Sequence, residues 1–299
     1  MVSQASAQSI PAGMETAHED NRWRQFFRRV RRQKLMMLGL YIFAAITIVV
    51  LFPNFFATHD PLAIDVPNKQ APPSVEHWFG TDELGRDIYS RVIHGMRLSF
   101  TAGFVVVFGG MILGTGLGMI AGYAGNLADD VLMRLSDVFL AFPGLVMAMA
   151  FVTALGPGLR NAMLALIVIW WPQYARLARG MVLSVKHHEY IEGARAIGAG
   201  DVRILTRYIL PNIFPTIFVK ATLDLGLAIL VTAALSFLGL GAQPPQPELG
   251  AMVTAGRSFL LTSWWYSTFP GLIIFIGVLA TNLVGDGLRD VLDPTLTGN

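Results

Sequence analysis

Long uncharged stretches, separated by short charged ones, set the pattern of this chain. Leu35 to His59 carries no Lys, Arg, Asp or Glu, and neither do Leu98 to Ala128, Val138 to Leu159, Leu225 to Pro247 or Ser258 to Gly285. A sixth run, Asn161 to Ala175, is shorter, but Arg176 and Arg179 at its end can keep their stems in lipid and their heads at the interface. A bilayer core of about 30 Å takes about 20 helical residues to cross. The pattern therefore predicts six transmembrane helices, near 35–56, 98–121, 133–155, 161–181, 212–238 and 267–287. The segments outside them are a cytoplasmic tail over 1–34, an extracytoplasmic segment over 57–97 and a second tail over 291–299, with residues 98–290 forming the core. Residues 1–21 read as disordered. The first apolar run is too long for a cleaved signal peptide and follows some thirty polar residues, so it reads as a retained anchor.

Charge sets the orientation. Arg22, Arg24, Arg28, Arg29, Arg31, Arg32 and Lys34 precede the first span, and Arg176, Arg179, Lys186, Arg195, Arg203 and Arg207 fill the fourth-to-fifth connection. Both regions are expected on the cytoplasmic side. The 57–97 segment leans acidic, and an even number of spans places both termini inside. Composition agrees: 54% of the 299 residues are hydrophobic and 14% charged, outside the soluble globular range. The net charge of +2 is topological bias and points to no nucleic-acid partner.

Several chemistries are excluded. Lys34, Lys69, Lys186 and Lys220 follow Gln33, Asn68, Val185 and Val219, so no Gly-Lys pair exists to build a phosphate-binding loop. There is no cysteine. His187 and His188 are adjacent and face apart, while His59, His77 and His94 lack ligand spacing and read as solvated or interfacial. No serine lies in a nucleophile-elbow pattern. Gly110, Gly114, Gly118 and Gly122 form a smooth stripe for close helix approach, either within this subunit or at a subunit interface.

Residues 187–211 interrupt the apolar pattern. Ile191, Ala194 and Ile197 mark a first helix that runs into the breaker Gly198-Ala199-Gly200. Asp201 suits the N-cap of a second helix carrying Val202, Leu205 and Ile209, and Pro211 ends the unit. The result is a cytoplasmic helix–hinge–helix exposing Gly193, Ala194, Ala196, Gly198 and Ala199, small enough for another protein to close around.

Here the residues carry a resemblance. Glu192-Gly193-Ala194, Gly198 and Leu210-Pro211 are similar to the EAA loop of ABC importer permeases, E-A-A-x3-G-x9-I-x-L-P, with Gly193 in place of the first Ala and Tyr208 in place of Ile. "HWFGTDELGRDIYSR" at 77–91, "LSFLGLGAQPPQPELGAM" at 235–252 and "GDGLRDVLDP" at 285–294 resemble the C-type permease of dipeptide, oligopeptide and nickel importers. "FATHDPLAID" and "SWWYSTFPG" resemble the D,D-dipeptide branch. The likeness runs from about Arg22 to Pro294. It implies an all-α polytopic membrane protein with the type I ABC importer permease fold, in the bacterial inner membrane. It also implies that Glu192, Gly193, Ala194, Gly198, Asp201, Leu210 and Pro211 couple to an ATPase. The implied partners are a B-type permease, two ATPase subunits that carry ATP and Mg, and an extracytoplasmic peptide-binding protein. No cofactor is expected on this chain, and no catalysis.

The same motifs have local readings. Leu84, Ile88 and Val92 form an apolar stripe suited to a helix lying on the outer membrane surface, with Asp87 and Arg91 paired at i,i+4. Gln243-Pro244-Pro245-Gln246-Pro247 stops the fifth helix, and Trp264, Trp265 and Tyr266 form an interfacial cluster. This outer loop could meet a binding protein, gate the pathway or serve structure alone. Lys220 and Asp224 lie on one face of the fifth helix, where each charge costs about 2.5–3.5 kcal/mol at a bilayer centre. They either neutralise one another or face an aqueous pathway. An ion-coupled carrier would need an intramembrane acid, and Asp224 is the one well inside an apolar helix; an intramembrane enzyme would need a nucleophile or metal set that is missing.

Overall fold

A computed structural model describes residues 30, 31 and 33–292; the basic run before residue 30, the segment over 1–21 and residues 293–299 lie outside the described residues. Each apolar run becomes helix, because a chain in lipid must satisfy its backbone polar groups internally. α1 (Lys34–Leu51) stops at Phe52 because Pro53, with no N–H to donate, opens the short α2 (Pro53–Phe56). α3 (Ile88–Ala124) is followed by α4 (Asn126–Leu140), α5 (Gly144–Leu155) and α6 (Leu159–Val185). α7 (Glu189–Ala196) and α8 (Asp201–Ile204) lead through a π-helical turn (Leu205–Ile209) into α9 (Leu210–Phe237), and α10 (Leu249–Arg257) and α11 (Trp265–Leu292) follow.

α3 and α6 form the most extensive helix pair, and α11 packs on α9, α1 and α10. The glycine stripe makes the first pairing possible. A Cβ on Gly110 would come within 2.9 Å of Trp170 Cβ, and on Gly114 and Gly118 it would strike the backbone of Trp171 and Ala175. The stripe therefore serves packing within the subunit. Tyr174, Val182 and Val106 fill the seam beside it, each fully buried.

Several expected elements take a different form. Residues 57–97 hold a short 3-10 turn (Val66–Asn68) but no separate interfacial helix: residues 81–87 form turns closed by an isolated Thr81–Asp87 bridge, and α3 begins at Ile88 and continues unbroken for 37 residues. Asp87 is its N-cap, its side chain accepting from Ser90 N at 2.8 Å, so it does not pair with Arg91. Arg91 instead turns to Asp82 and to the carbonyl of Pro61. The 133–155 span is broken, because Pro143 separates α4 from α5 and the two meet at 94°. Among the described residues, four helices are long and apolar enough to cross a membrane, or five if the bent pair is one span. α6 has the length, with 27 residues, but Trp170-Trp171-Pro172-Gln173-Tyr174 and Arg176 dilute its apolar character.

α9 ends before its proline-rich loop. Gly239, at φ +80°, takes a left-handed conformation; its N–H reaches Ser236 O and that of Leu240 reaches Leu235 O, a Schellman stop. The aromatic cluster is mostly internal: Trp264 is exposed, but Trp265 and Tyr266 are buried, and Trp265 Nε1 donates to Thr81 O. His77 is buried too, beside His59.

Candidate functional site

The helix–hinge–helix over 187–211 is anchored from below and bare from above. Ile191, Ile204 and Ile209 are fully buried and Ala194 nearly so, fixing α7 and α8 to the membrane helices. Glu192, Gly193, Ala196 and Gly198 are exposed on the other side. Nothing lies within 4 Å of a Cβ built on Gly193, Gly198 or Gly200, so their smallness answers no packing need inside the chain. Ala194 points inward, contrary to the expected exposure, and Ala199 is half-buried. Ile197 turns outward at 81% exposure and Val202 at 75%, instead of completing the apolar faces assigned to them. The exposed surface thus combines small residues and the apolar Ile197 and Val202 with the charged Glu192 and Arg195.

The hinge has a defined geometry. Gly198 sits at φ +85°, its N–H donates to Arg195 O at 2.9 Å, and Ala199 N donates to Ala194 O at 3.0 Å. This is a second Schellman motif, in which the left-handed position suits glycine. Gly200, not Asp201, occupies the N-cap of α8. Asp201 is the first helical residue, and its carboxylate accepts from Tyr123 OH at 2.7 Å. Tyr123 also stacks under the Arg195 guanidinium at 5.3 Å, so one residue at the end of α3 holds both arms of the hinge. Lys186 Nζ donates to Gly122 O at 3.0 Å beside it. Tyr123 had no signal in the sequence, because it lies in a different apolar run.

Leu210 and Pro211 continue the helix where a stop was expected. The π turn supplies the reason: Leu210 N donates to Leu205 O, five residues back, and this wider register precedes the residue without an N–H. Asp201 to Phe237 therefore forms one rod of 37 residues, carrying the hinge at one end and Lys220 and Asp224 in its middle.

Those two side chains form a satisfied cluster. Lys220 Nζ lies 2.9 and 3.1 Å from the Asp224 carboxylate oxygens and 3.3 Å from Gln173 Oε1, and Tyr174 OH donates to Asp224 Oδ2 at 2.8 Å. The Lys220 and Asp224 side chains are 27% and 14% exposed, so the pair is partly accessible. Gln173 and Tyr174 come from α6 and were not foreseen. The pair lies about 15 Å along the helix from Leu210, at 1.5 Å per residue.

Among the described residues the chain is an all-helical bundle with an exposed helical hinge at one end. Residues 114–298 match the family described as binding-protein-dependent transport system inner membrane component, and residues 21–73 match the N-terminal transmembrane domain of oligopeptide transport permease C. The chain belongs to that inner membrane component family and is a permease subunit of the ABC importer type. It is 43% identical over 274 residues to the dipeptide transport system permease protein DppC of Alkalihalophilus pseudofirmus, covering 92% of this chain and 90% of that one. It is 46% identical to the probable D,D-dipeptide transport system permease protein DdpC of Escherichia coli K12, over 88% of this chain and 89% of that one. The glutathione transport system permease protein GsiD of Escherichia coli O6:K15:H31 is 45% identical, with 92% and 91% covered. The fold is similar to that of a solved chain of the MetNI methionine ABC transporter in an inward-facing conformation, with a TM-score of 0.53 and 21% identity over 68% of this chain and 97% of that one.

Proposed function

We propose that this subunit forms half of an import pathway for di- or oligopeptides, in a heterodimer with a B-type permease. Two ATPase subunits carrying ATP and Mg dock on the 187–211 element, and an extracytoplasmic binding protein delivers the peptide. The observation that carries the reading is the hinge itself: Gly193, Gly198, Ile197 and Val202 lie uncovered while Ile191, Ile204 and Ile209 lock the same element to the core. Force applied there passes into the rod that begins at Asp201, and through Tyr123 into α3. Glutathione is the second substrate reading, because GsiD is as similar to this chain as the two dipeptide permeases. A nickel cargo has no relative among these to favour it. An ion-coupled carrier is disfavoured because Asp224, the acid it would use, is held by Lys220 and Tyr174.

Reconstituted vesicles containing both permeases test the energetics. Uptake should require the co-expressed ATPases and ATP and should survive a protonophore; uptake driven by an ion gradient without ATPases would overturn the reading. A ligand screen on the cognate binding protein decides between peptide and glutathione.

A further inference from the structure

Three side chains from separate segments converge at the head of α3. His59 follows α2, His77 lies in the coil before Gly80, and Asp87 caps the helix. His77 Nδ1 is 3.0 Å from Asp87 Oδ1, His59 Nδ1 is 3.8 Å from Asp87 Oδ2, and the imidazole centroids are 4.9 Å apart. One donor atom from each residue falls within 4.8 Å of the other two. Metal–ligand bonds of about 2.0–2.1 Å at tetrahedral angles put neighbouring donors about 3.3 Å apart. Closing these three onto one ion takes side-chain rotation and no new path for the backbone.

Charge argues in the same direction. Asp87 is 3% exposed, yet the nearby guanidinium groups are committed elsewhere, Arg86 to Asp82 and Glu83, and Arg91 to Asp82 and Pro61 O. Among the described residues, the basic groups within 4 Å of its carboxylate are His59 and His77. The helix N-terminus, through Ser90 N, offsets part of the desolvation cost of a buried carboxylate, and a cation would offset the rest.

The backbone around the trio is pinned. Ser90 Oγ accepts from His59 N at 2.9 Å and Thr58 N at 3.2 Å, Ser74 Oγ accepts from His77 N at 3.0 Å, and Gly80 N donates to His77 O at 2.9 Å. Ligands held this way are positioned in advance of an ion. The His59 side chain, 36% exposed, leaves one side open to solvent. His94, about two turns along α3 from Asp87, is no part of the set: its ring nitrogens face Ser90 O and Asn54 Oδ1.

We propose that His59, His77 and Asp87 bind one first-row divalent transition-metal ion of the Zn2+ type, with water in the fourth position, stapling the segment between α2 and α3 to the helix head. Two imidazoles and one carboxylate suit Zn2+, Co2+ or Ni2+ and not Mg2+ or Ca2+. The inference is independent of what the subunit transports.

The test uses the full chain, purified in nanodiscs without a polyhistidine tag and stripped with chelator. Titration with Zn2+ and Co2+ should show one equivalent bound, cobalt d–d absorption, and a thermal midpoint raised by Zn2+ but not by Mg2+. His59→Ala, at a half-exposed position whose loss leaves the core intact, should weaken Zn2+ binding by more than about tenfold and abolish the Zn2+-dependent rise. His77→Gln, which keeps a hydrogen bond toward Asp87, should do the same. Failure of the wild type to bind one equivalent, or equal Zn2+ affinity in wild type and His59→Ala, overturns the proposal.

Discussion

At the scale of single residues, the hinge and the membrane pair make separate demands. Gly198 combines a left-handed backbone with open space above it, so conformation and contact can be tested apart. Asn and Asp both tolerate the left-handed region and have nearly the same shape. Gly198→Asn should therefore leave uptake within a few-fold of wild type. With an ATPase docked there as proposed, Gly198→Asp would bury an unpaired carboxylate at a cost of several kcal/mol and should lower uptake by more than about tenfold while the subunit still inserts. Equal uptake by the two variants would show that nothing docks there. Glu192→Ala, on the same exposed face, should act more mildly in the same direction. For Lys220 and Asp224, Tyr174 changes the design, because removing both charges also strands its hydroxyl. Each single change, Lys220→Met or Asp224→Leu, should reduce assembled subunit in the membrane by leaving one half-buried charge without its partner. The triple variant Lys220→Met, Asp224→Leu, Tyr174→Phe should restore assembly. If it also transports at the wild-type rate, the cluster is structural; if it assembles but transports poorly, the charges face the peptide.

At the scale of elements, what the sequence displays is where chain is apolar, and what it hides is how neighbouring pieces join. The charge-free runs mark every long helix, yet α3 begins ten residues before its run does, because Asp87 caps it and the buried stripe of Ile88 and Val92 continues the same helix inward. The bend between α4 and α5 falls inside the charge-free run that starts at Val138, and only Pro143 hints at its 94°. The hinge was legible because Gly-Ala-Gly is a local signal, whereas Tyr123, Tyr174 and the His59–His77–Asp87 trio depend on contacts that loops and helix packing bring together. The glycine stripe was legible as a stripe, but its partner, α6, was not. That partner gives a prediction of opposite signs two residues apart. Gly118→Ala drives a Cβ into the Ala175 backbone, so it should destabilise the purified subunit by about 1–3 kcal/mol. Gly116→Ala meets nothing within 4 Å and should stabilise the helix by up to about 1 kcal/mol. Thermal unfolding in one detergent measures both, and a Gly118→Ala subunit as stable as wild type would mean that α3 and α6 are not in close contact.

At the scale of the whole molecule, α3 acts as a measuring rod. Its 37 residues extend about 55 Å, longer than the roughly 30 Å of bilayer hydrocarbon, so its two ends must lie near opposite faces. At one end Gly95 packs toward Pro247 O, and the Thr81 segment packs under Trp265. At the other, Tyr123 holds Arg195 and Asp201. The acid-leaning 57–97 segment and the proline-rich loop thus share one face, and the basic hinge occupies the other. Some of the basic charge there is already used: Arg176 pairs with Asp137 and Arg179 with Asp129. Lys186, Arg195, Arg203 and Arg207 still remain, and an excess of Lys and Arg marks the cytoplasmic side. With no native cysteine to interfere, single cysteines report the faces directly. Val75 is 95% exposed, Gln246 is exposed in the proline-rich loop, and Ile197 is 81% exposed at the hinge. In intact cells a membrane-impermeant maleimide should label Val75→Cys and Gln246→Cys but not Ile197→Cys, which should react only after permeabilisation. Labelling of Ile197→Cys from outside, with the other two silent, would invert the subunit and place the hinge beyond the reach of any cytoplasmic ATPase.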